Sequence, residues 1–244
     1  MAKSNLREYA RRELTKRLRD NGPMLTRWKV IWSPVLLVLC LLIATAFPGL
    51  ICSITLPKAV WLTFVAVFAL SIPFFMVVRL TPLYVFGHEM THWLCAKCFG
   101  KATGKLSLKA TSGSLEIPAT NWVIVLAPYC FPLYFFIFAG LLSFAGLFWQ
   151  QTPSWLTVVS AAVLGACAGY HAALTFIALR HGQEDIHYCG APFAVLAITA
   201  GNLLFFYLSF IIATGSWQKG FQIPRDITTY AITRCIQCVE YFFH

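Results

Sequence analysis

WVIVLAPYCFPLYFFIFAGLLSFAGLFW, residues 122–149, contains no Asp, Glu, Lys or Arg, and the charge-free run continues to Leu179. About 20 consecutive apolar residues carry a helix across the hydrocarbon core of a bilayer, so this stretch alone removes the chain from the class of soluble globules. Four further segments of similar length and character stand on either side of it or follow it: Trp32 to Leu56, Ala59 to Val78, Trp155 to Leu179 and Ala191 to Gly215. Over all 244 residues, 59% are hydrophobic and 11% charged, with a mean hydropathy of +0.70. That leaves too few polar side chains to cover a water-soluble fold. Pro48, Pro73, Pro128 and Pro132 fall inside these segments and are expected to kink them, because neighbouring helices in a membrane satisfy the freed carbonyls. The expected fold is an all-α polytopic membrane protein with about six membrane helices, the sixth being a short helix before residue 100.

Residues 1–31 carry a concentration of Lys and Arg and are expected to form a basic surface arm. Residues 32–215 form the membrane-embedded core and 216–244 a surface-lying tail of mixed polarity. The chain has 19 Lys and Arg against 9 Asp and Glu, a formal charge of +10. On a polytopic protein this excess reports loop topology and contact with anionic lipid rather than nucleic-acid binding. It places the N-terminus in the cytoplasm, with the cell inner (plasma) membrane as the expected location. The nine cysteines lie mostly within apolar runs and suggest no disulfide framework. The pairs Cys95/Cys98 and Cys235/Cys238 would make a four-thiolate zinc site only if the tail folded back on the first pair.

The chemistry concentrates in Thr81 to Asn121. Pro82 suits the first turn of a helix, which then runs through Gly87-His88-Glu89-Met90-Thr91-His92 to a stop at Gly100. Alternation of apolar and polar residues over Lys105 to Ala110 and again over Leu115 to Ile117, with Thr111-Ser112-Gly113-Ser114 between them, predicts a β-hairpin after the helix. His88 and His92 in H-E-x-x-H are one turn apart and offset by about 40° around the axis, so both imidazoles can face one metal ion with Glu89 beside it as general base. That spacing suits zinc (Zn2+). Histidines bonding across a helical bundle are the plainer alternative for one such residue, but not for His, Glu and His in this order.

A catalytic zinc usually takes three protein ligands, so one more is needed. Cys98 lies about 9 Å further along the helix than His92 and cannot reach the same ion. Glu116 sits in the hairpin and reads as a solvated strand residue. The loop Arg180-His181-Gly182-Gln183-Glu184-Asp185-Ile186-His187 holds the only two acids between Trp122 and Trp217. Asp185 is the leading candidate, with Glu184, His181 and His187 behind it. His171, inside a span, is expected to hydrogen-bond between helices.

The run Gly87 to Gly100 resembles the H-E-x-x-H helix of the site-2 protease family of intramembrane zinc metalloproteases, and the hairpin follows in the corresponding place. The similarity is best over Phe86 to Ile117, and Leu126-Ala127-Pro128 is weakly similar to the small-residue and proline region of the family's next helix. The resemblance implies zinc held by His88, His92 and an aspartate from a later helix, here Asp185, with Glu89 as general base and membrane-spanning proteins as substrates. At the third ligand the family commonly has Asn-x-x-Pro-x-Pro-x-Leu-Asp-Gly, where this chain has His-Gly-Gln-Glu-Asp-Ile. The competing expectations are a proteolytically inactive relative acting as a membrane chaperone or regulator, and a haem-binding or transport protein using His88, His92, His171 and His181.

Overall fold

The computed structural model describes residues 2–53, 56–108, 113–115, 117, 120–148, 152–181, 183–214 and 216–243; side chains are described from residue 27 onward, except 212–214, 217 and 238–243. The elements in chain order are α1 (Ala2–Ser53), α2 (Lys58–Val77), α3 (Thr81–Cys98), β1 (Leu106–Leu108), β2 (Gly113–Leu115), α4 (Trp122–Cys130), α5 (Leu133–Gly146), α6 (Ser154–His181), α7 (Glu184–Cys189), α8 (Ala191–Thr214) and α9 (Trp217–Phe243). The basic arm and the first apolar segment form one continuous helix, α1. The tail from Trp217 is helical as well.

Four stretches are long and apolar enough to cross a membrane: Arg27–Ser53 of α1, α2, α6 and Ala191–Ile211 of α8. The chain therefore has the build of a membrane protein. The apolar stretch that starts at Trp122 does not form one straight helix: α4 and α5 meet at 61°, and the two together count as a fifth candidate span. The break falls at Phe131-Pro132, where Pro132 has no N–H to continue the α4 ladder and instead opens α5. The helix expected as a sixth span, α3, is present but is not among these candidates; its 18 residues include His88, Glu89, Thr91 and His92.

The packing gives each helix a direction. The Trp32 ring lies 5.8 Å from that of Trp122, which lies 5.3 Å from Phe193, so the starts of the apolar part of α1, of α4 and of α8 share one end of the bundle. Ile43, Ala46 and Leu50 of α1 pack with Tyr207 and Ile211 of α8 toward the other end, making these two helices parallel. Helices α2 and α6 are also parallel, since Gly165 faces Phe64 and Gly169 faces Phe68 and Ser71. From there α3 runs on along α6 in the direction of α2. Its first carbonyl, Leu80, accepts from Tyr170 at 3.4 Å, and Tyr84, one turn later, meets Gln183 just past the end of α6. Tyr84, His88 and His92 are thereby carried to the end of the bundle where α4 and α8 begin.

The hairpin is antiparallel, with Leu106 opposite Leu115, Ser107 opposite Ser114 and Leu108 opposite Gly113. Gly113 and Ser114, expected in the turn Thr111-Ser112-Gly113-Ser114, belong instead to β2, where they pair with Leu108 and Ser107; Lys109, Ala110, Thr111, Ser112 and the candidate ligand Glu116 lie outside the described residues.

The α2–α6 contact is made by backbone. A Cβ on Gly169 would sit 2.8 Å from the Phe68 carbonyl oxygen and 2.6 Å from Ser71 Cβ, and one on Gly165 would sit 2.8 Å from the Phe64 oxygen. These glycines let two helices approach closely where no hydrophobic force between helices operates. Gly169→Val is expected to force the pair apart and destabilise the protein by about 1–3 kcal/mol, whereas Gly140→Ala, with open space around its new methyl, is not. Thermal or denaturant unfolding in detergent, with the two variants side by side, measures the difference.

Candidate metal centre

Helix α3 has the start and the stop its sequence predicts. Pro82 stands in the first turn. At the far end Gly100 takes φ 63°, Lys101 N–H donates to Ala96 O at 2.9 Å and Gly100 N–H donates to Lys97 O at 2.9 Å. That six-to-one bond with a left-handed glycine closes the helix in the Schellman manner. Between these ends Val85, Glu89, His92 and Ala96 are buried on one face, so both the second histidine and the glutamate of the motif point into the protein.

The two imidazoles face each other across one helical turn, with Nε2 to Nε2 at 3.1 Å and ring centroids 4.7 Å apart. His92 Nδ1 lies 2.8 Å from the carbonyl oxygen of Ile124 in the first turn of α4. A carbonyl only accepts, so His92 carries its proton on Nδ1 and leaves the Nε2 lone pair directed at His88. Asn121 caps α4 by accepting from Ile124 N–H at 2.9 Å, which holds that turn in place.

The third donor arrives from α7. Ile186 and Cys189 are buried in the main core and anchor this short helix, and Gly190, at φ 80°, turns the chain into α8. Anchored this way, α7 leaves Asp185 facing α3. Its Oδ2 is 3.3 Å from His88 Nε2 and 3.5 Å from His92 Nε2. Burial by itself raises the Asp185 carboxyl, but hydrogen bonds and charge from His88 and His92 outweigh it and hold the group below the usual carboxylate range. His88, His92 and Asp185 are the one group among the described residues whose donor atoms converge closely enough to hold a metal ion.

The other candidates are not brought in. His181 Nδ1 bonds the Ile177 carbonyl at the exposed end of α6, and His187 is exposed. Glu184 borders the cleft but is not part of the converging group. His171 is buried in α6 and bonds Asn202 Oδ1 of α8 at 3.1 Å, the interhelical bond expected of it. Cys95, Cys98 and Cys235 are free, and the Cys238 side chain lies outside the described residues.

Glu89 is 9% exposed and lies under the hairpin: a Cβ on Gly113 of β2 would be 2.5 Å from Glu89 Cγ and 2.9 Å from its Oε1. A glycine is thus required where β2 crosses the motif. A cleft of about 670 Å³ opens beside the three donors and Glu89, lined across from them by Ser114, Leu115, Ile117 and Thr120.

Sequence reasoning passed over three side chains that surround the donors. Tyr129 Oη is 3.0 Å from Asp185 Oδ2, Gln183 reaches both Tyr129 and Tyr84, and both tyrosine rings pack on His88. Gln183 stood inside the quoted loop, but nothing in the spacing of Tyr84 or Tyr129 signals the site.

If this triad binds a divalent ion, Asp185→Ala will weaken zinc binding by more than the 10–100-fold typical of losing an outer-shell partner, while Glu184→Ala and His187→Ala will leave it near the wild-type value. Chelator-competition titration of the purified protein reads both. Comparison with protein-family models, with curated proteins and with solved structures gives no match, so the function is to be argued from this geometry.

Proposed function

We propose that the chain is an intramembrane zinc metalloprotease that hydrolyses peptide bonds of membrane-spanning proteins. The observation that carries this reading is the donor triangle, with edges of 3.1, 3.3 and 3.5 Å. Zinc bonded at 2.0–2.1 Å in tetrahedral geometry separates its ligand atoms by about 3.3 Å, so the spacing of the three atoms, which border the cleft, would suit that ion. Two nitrogens and a carboxylate oxygen are also the donor types of catalytic rather than structural zinc sites. The buried Nδ1 of His88 has no hydrogen-bond partner among the described residues, so the ring's described polar contacts are made through Nε2.

When bound, zinc supplies Lewis acidity, lowering the pKa of water toward about 7 and polarising a peptide carbonyl. The chain's own residues do the rest. His92 is held in one tautomer by Ile124, and Asp185 contributes the negative charge that offsets the ion's. Glu89, one residue from His88 and bordering the same cleft, accepts a proton from the attacking water and returns it to the leaving amine. The hairpin holds Glu89 in place and offers β2 to an unwound substrate segment, which must be extended before its peptide bonds are accessible.

The reading also assigns an orientation. Arg27, Lys29, Lys97, Lys101 and Arg180 gather at the end of the bundle that holds the triad, which the excess of basic residues places in the cytoplasm. Cysteine-directed labelling of Lys101→Cys in sealed vesicles, in a background with the exposed Cys52, Cys98 and Cys235 replaced by Ser, is expected from the cytoplasmic side; labelling from the opposite side alone would reverse the assignment.

Glu89→Gln is the decisive variant. It is expected to retain zinc near the wild-type affinity and to lose about 10²–10⁴-fold in cleavage of single-span membrane proteins co-reconstituted in liposomes. A variant that cleaves as well as wild type would remove Glu89 from the chemistry. A wild-type protein that binds zinc and cleaves none of them would favour the chaperone or regulator reading.

A further inference from the structure

Tyr129 is 1% exposed and touches two of the three donors at once. Its ring stands edge to face against His88, with centroids 5.3 Å apart, and its Oη lies 3.0 Å from Asp185 Oδ2, the oxygen that faces both imidazoles. The residue is itself fixed from below. Asn202 of α8 donates to the Tyr129 carbonyl at 2.8 Å, and the same Asn202 is bonded to His171 of α6. Three helices therefore converge on the position of one phenol.

The phenol also lies 2.7 Å from the Oε1 position of Gln183, whose Nε2 position is 2.8 Å from Tyr84 Oη. One phenolic proton cannot serve both the Gln183 oxygen and the Asp185 carboxylate. Side-chain amide oxygen and nitrogen occupy nearly equivalent positions, and turning the Gln183 amide over resolves the conflict without moving an atom centre. Tyr84 then donates to the amide oxygen, the amide N–H donates to Tyr129 Oη, and Tyr129 donates to Asp185. Each of these three bonds then has one donor and one acceptor, and all three run toward the carboxylate.

We infer that Tyr129 is the positioning residue of the third metal ligand. By occupying one lone pair of Asp185 Oδ2 it fixes the carboxylate rotamer and presents that single oxygen to the ion. Gln183 and Tyr84 keep its proton aimed there. This inference rests on the zinc reading above and deepens it.

The test compares full-length wild type, Tyr129→Phe, Tyr84→Phe and Asp185→Ala in detergent, reading zinc affinity by chelator competition and the visible absorption bands of the cobalt(II)-substituted protein. Tyr129→Phe keeps the ring on His88 and is expected to lower zinc affinity by about 10–100-fold and to shift the cobalt bands, with helical content and metal-free melting retained. Tyr84→Phe, one amide further away, is expected to cause a smaller drop in the same direction. Should Tyr129→Phe fail to fold, Gln183→Leu, at a partly exposed loop position, frees the phenol from its orienting amide and is expected to lower affinity and shift the bands likewise. The inference is overturned if Tyr129→Phe, or Gln183→Leu in its place, binds zinc as tightly as wild type with unshifted bands while Asp185→Ala loses the metal. If wild type itself takes up no zinc, the metal reading falls and this role falls with it.

Discussion

Three electron-rich atoms, two imidazole nitrogens and a carboxylate oxygen, meet within 3.5 Å of one another in a bundle of mostly apolar helices. Lone pairs at that spacing repel unless a proton or a cation lies between them, and a carboxylate beside apolar helices is costly unless it is paired or used. The rest of the molecule makes sense as the apparatus that enforces this meeting. Helix α3 supplies two rings one turn apart, the first turn of α4 fixes the tautomer of one of them, and α7, anchored by Ile186 and Cys189, delivers the acid.

The enforcement reaches well beyond the donors. Gly165 and Gly169 bring α2 and α6 into backbone contact, and α3 continues along α6 from the end of α2. The depth at which α2 seats on α6 therefore decides whether His88 comes level with Asp185. Helix α4 is short: it ends one residue beyond Tyr129, and α5 leaves it at 61° after the break at Pro132. Within those nine residues of α4, the Ile124 carbonyl meets His92, the Tyr129 hydroxyl meets Asp185 and the Tyr129 carbonyl accepts from Asn202 of α8.

Much of the local structure was legible in the sequence because it depends on near neighbours. Pro82 and Gly100 bound α3 through backbone restrictions that operate within one turn, and alternation on both sides of a polar turn announced the hairpin, though not its register, in which Gly113 and Ser114 are strand residues. Asp185 was the leading candidate for a different reason: a charge-free membrane core leaves few acids to choose among, but elimination left Glu184 beside it, and it is the fold that brings Asp185 to the histidines. Pro132 marked the bend between α4 and α5 in advance, but the size of that bend and the continuation of α2 into α3 were harder to read. Hydropathy records how apolar a segment is and not whether it is straight, or whether two segments share a direction. Tyr84, Tyr129 and Gln183 escaped because they are ordinary residues of an apolar helix or loop until three elements place them side by side.

From its residues alone the chain is determined to be a helical membrane protein with two histidines and a glutamate on one buried turn, because apolar run length and helical periodicity are properties of contiguous sequence. Only the tertiary structure decided which acid joins the histidines, which nitrogen each presents, and what holds the acid in place. Those are matters of ångströms between residues separated by tens to about a hundred positions, and they are set by how closely the helices pack and where the bent pair breaks.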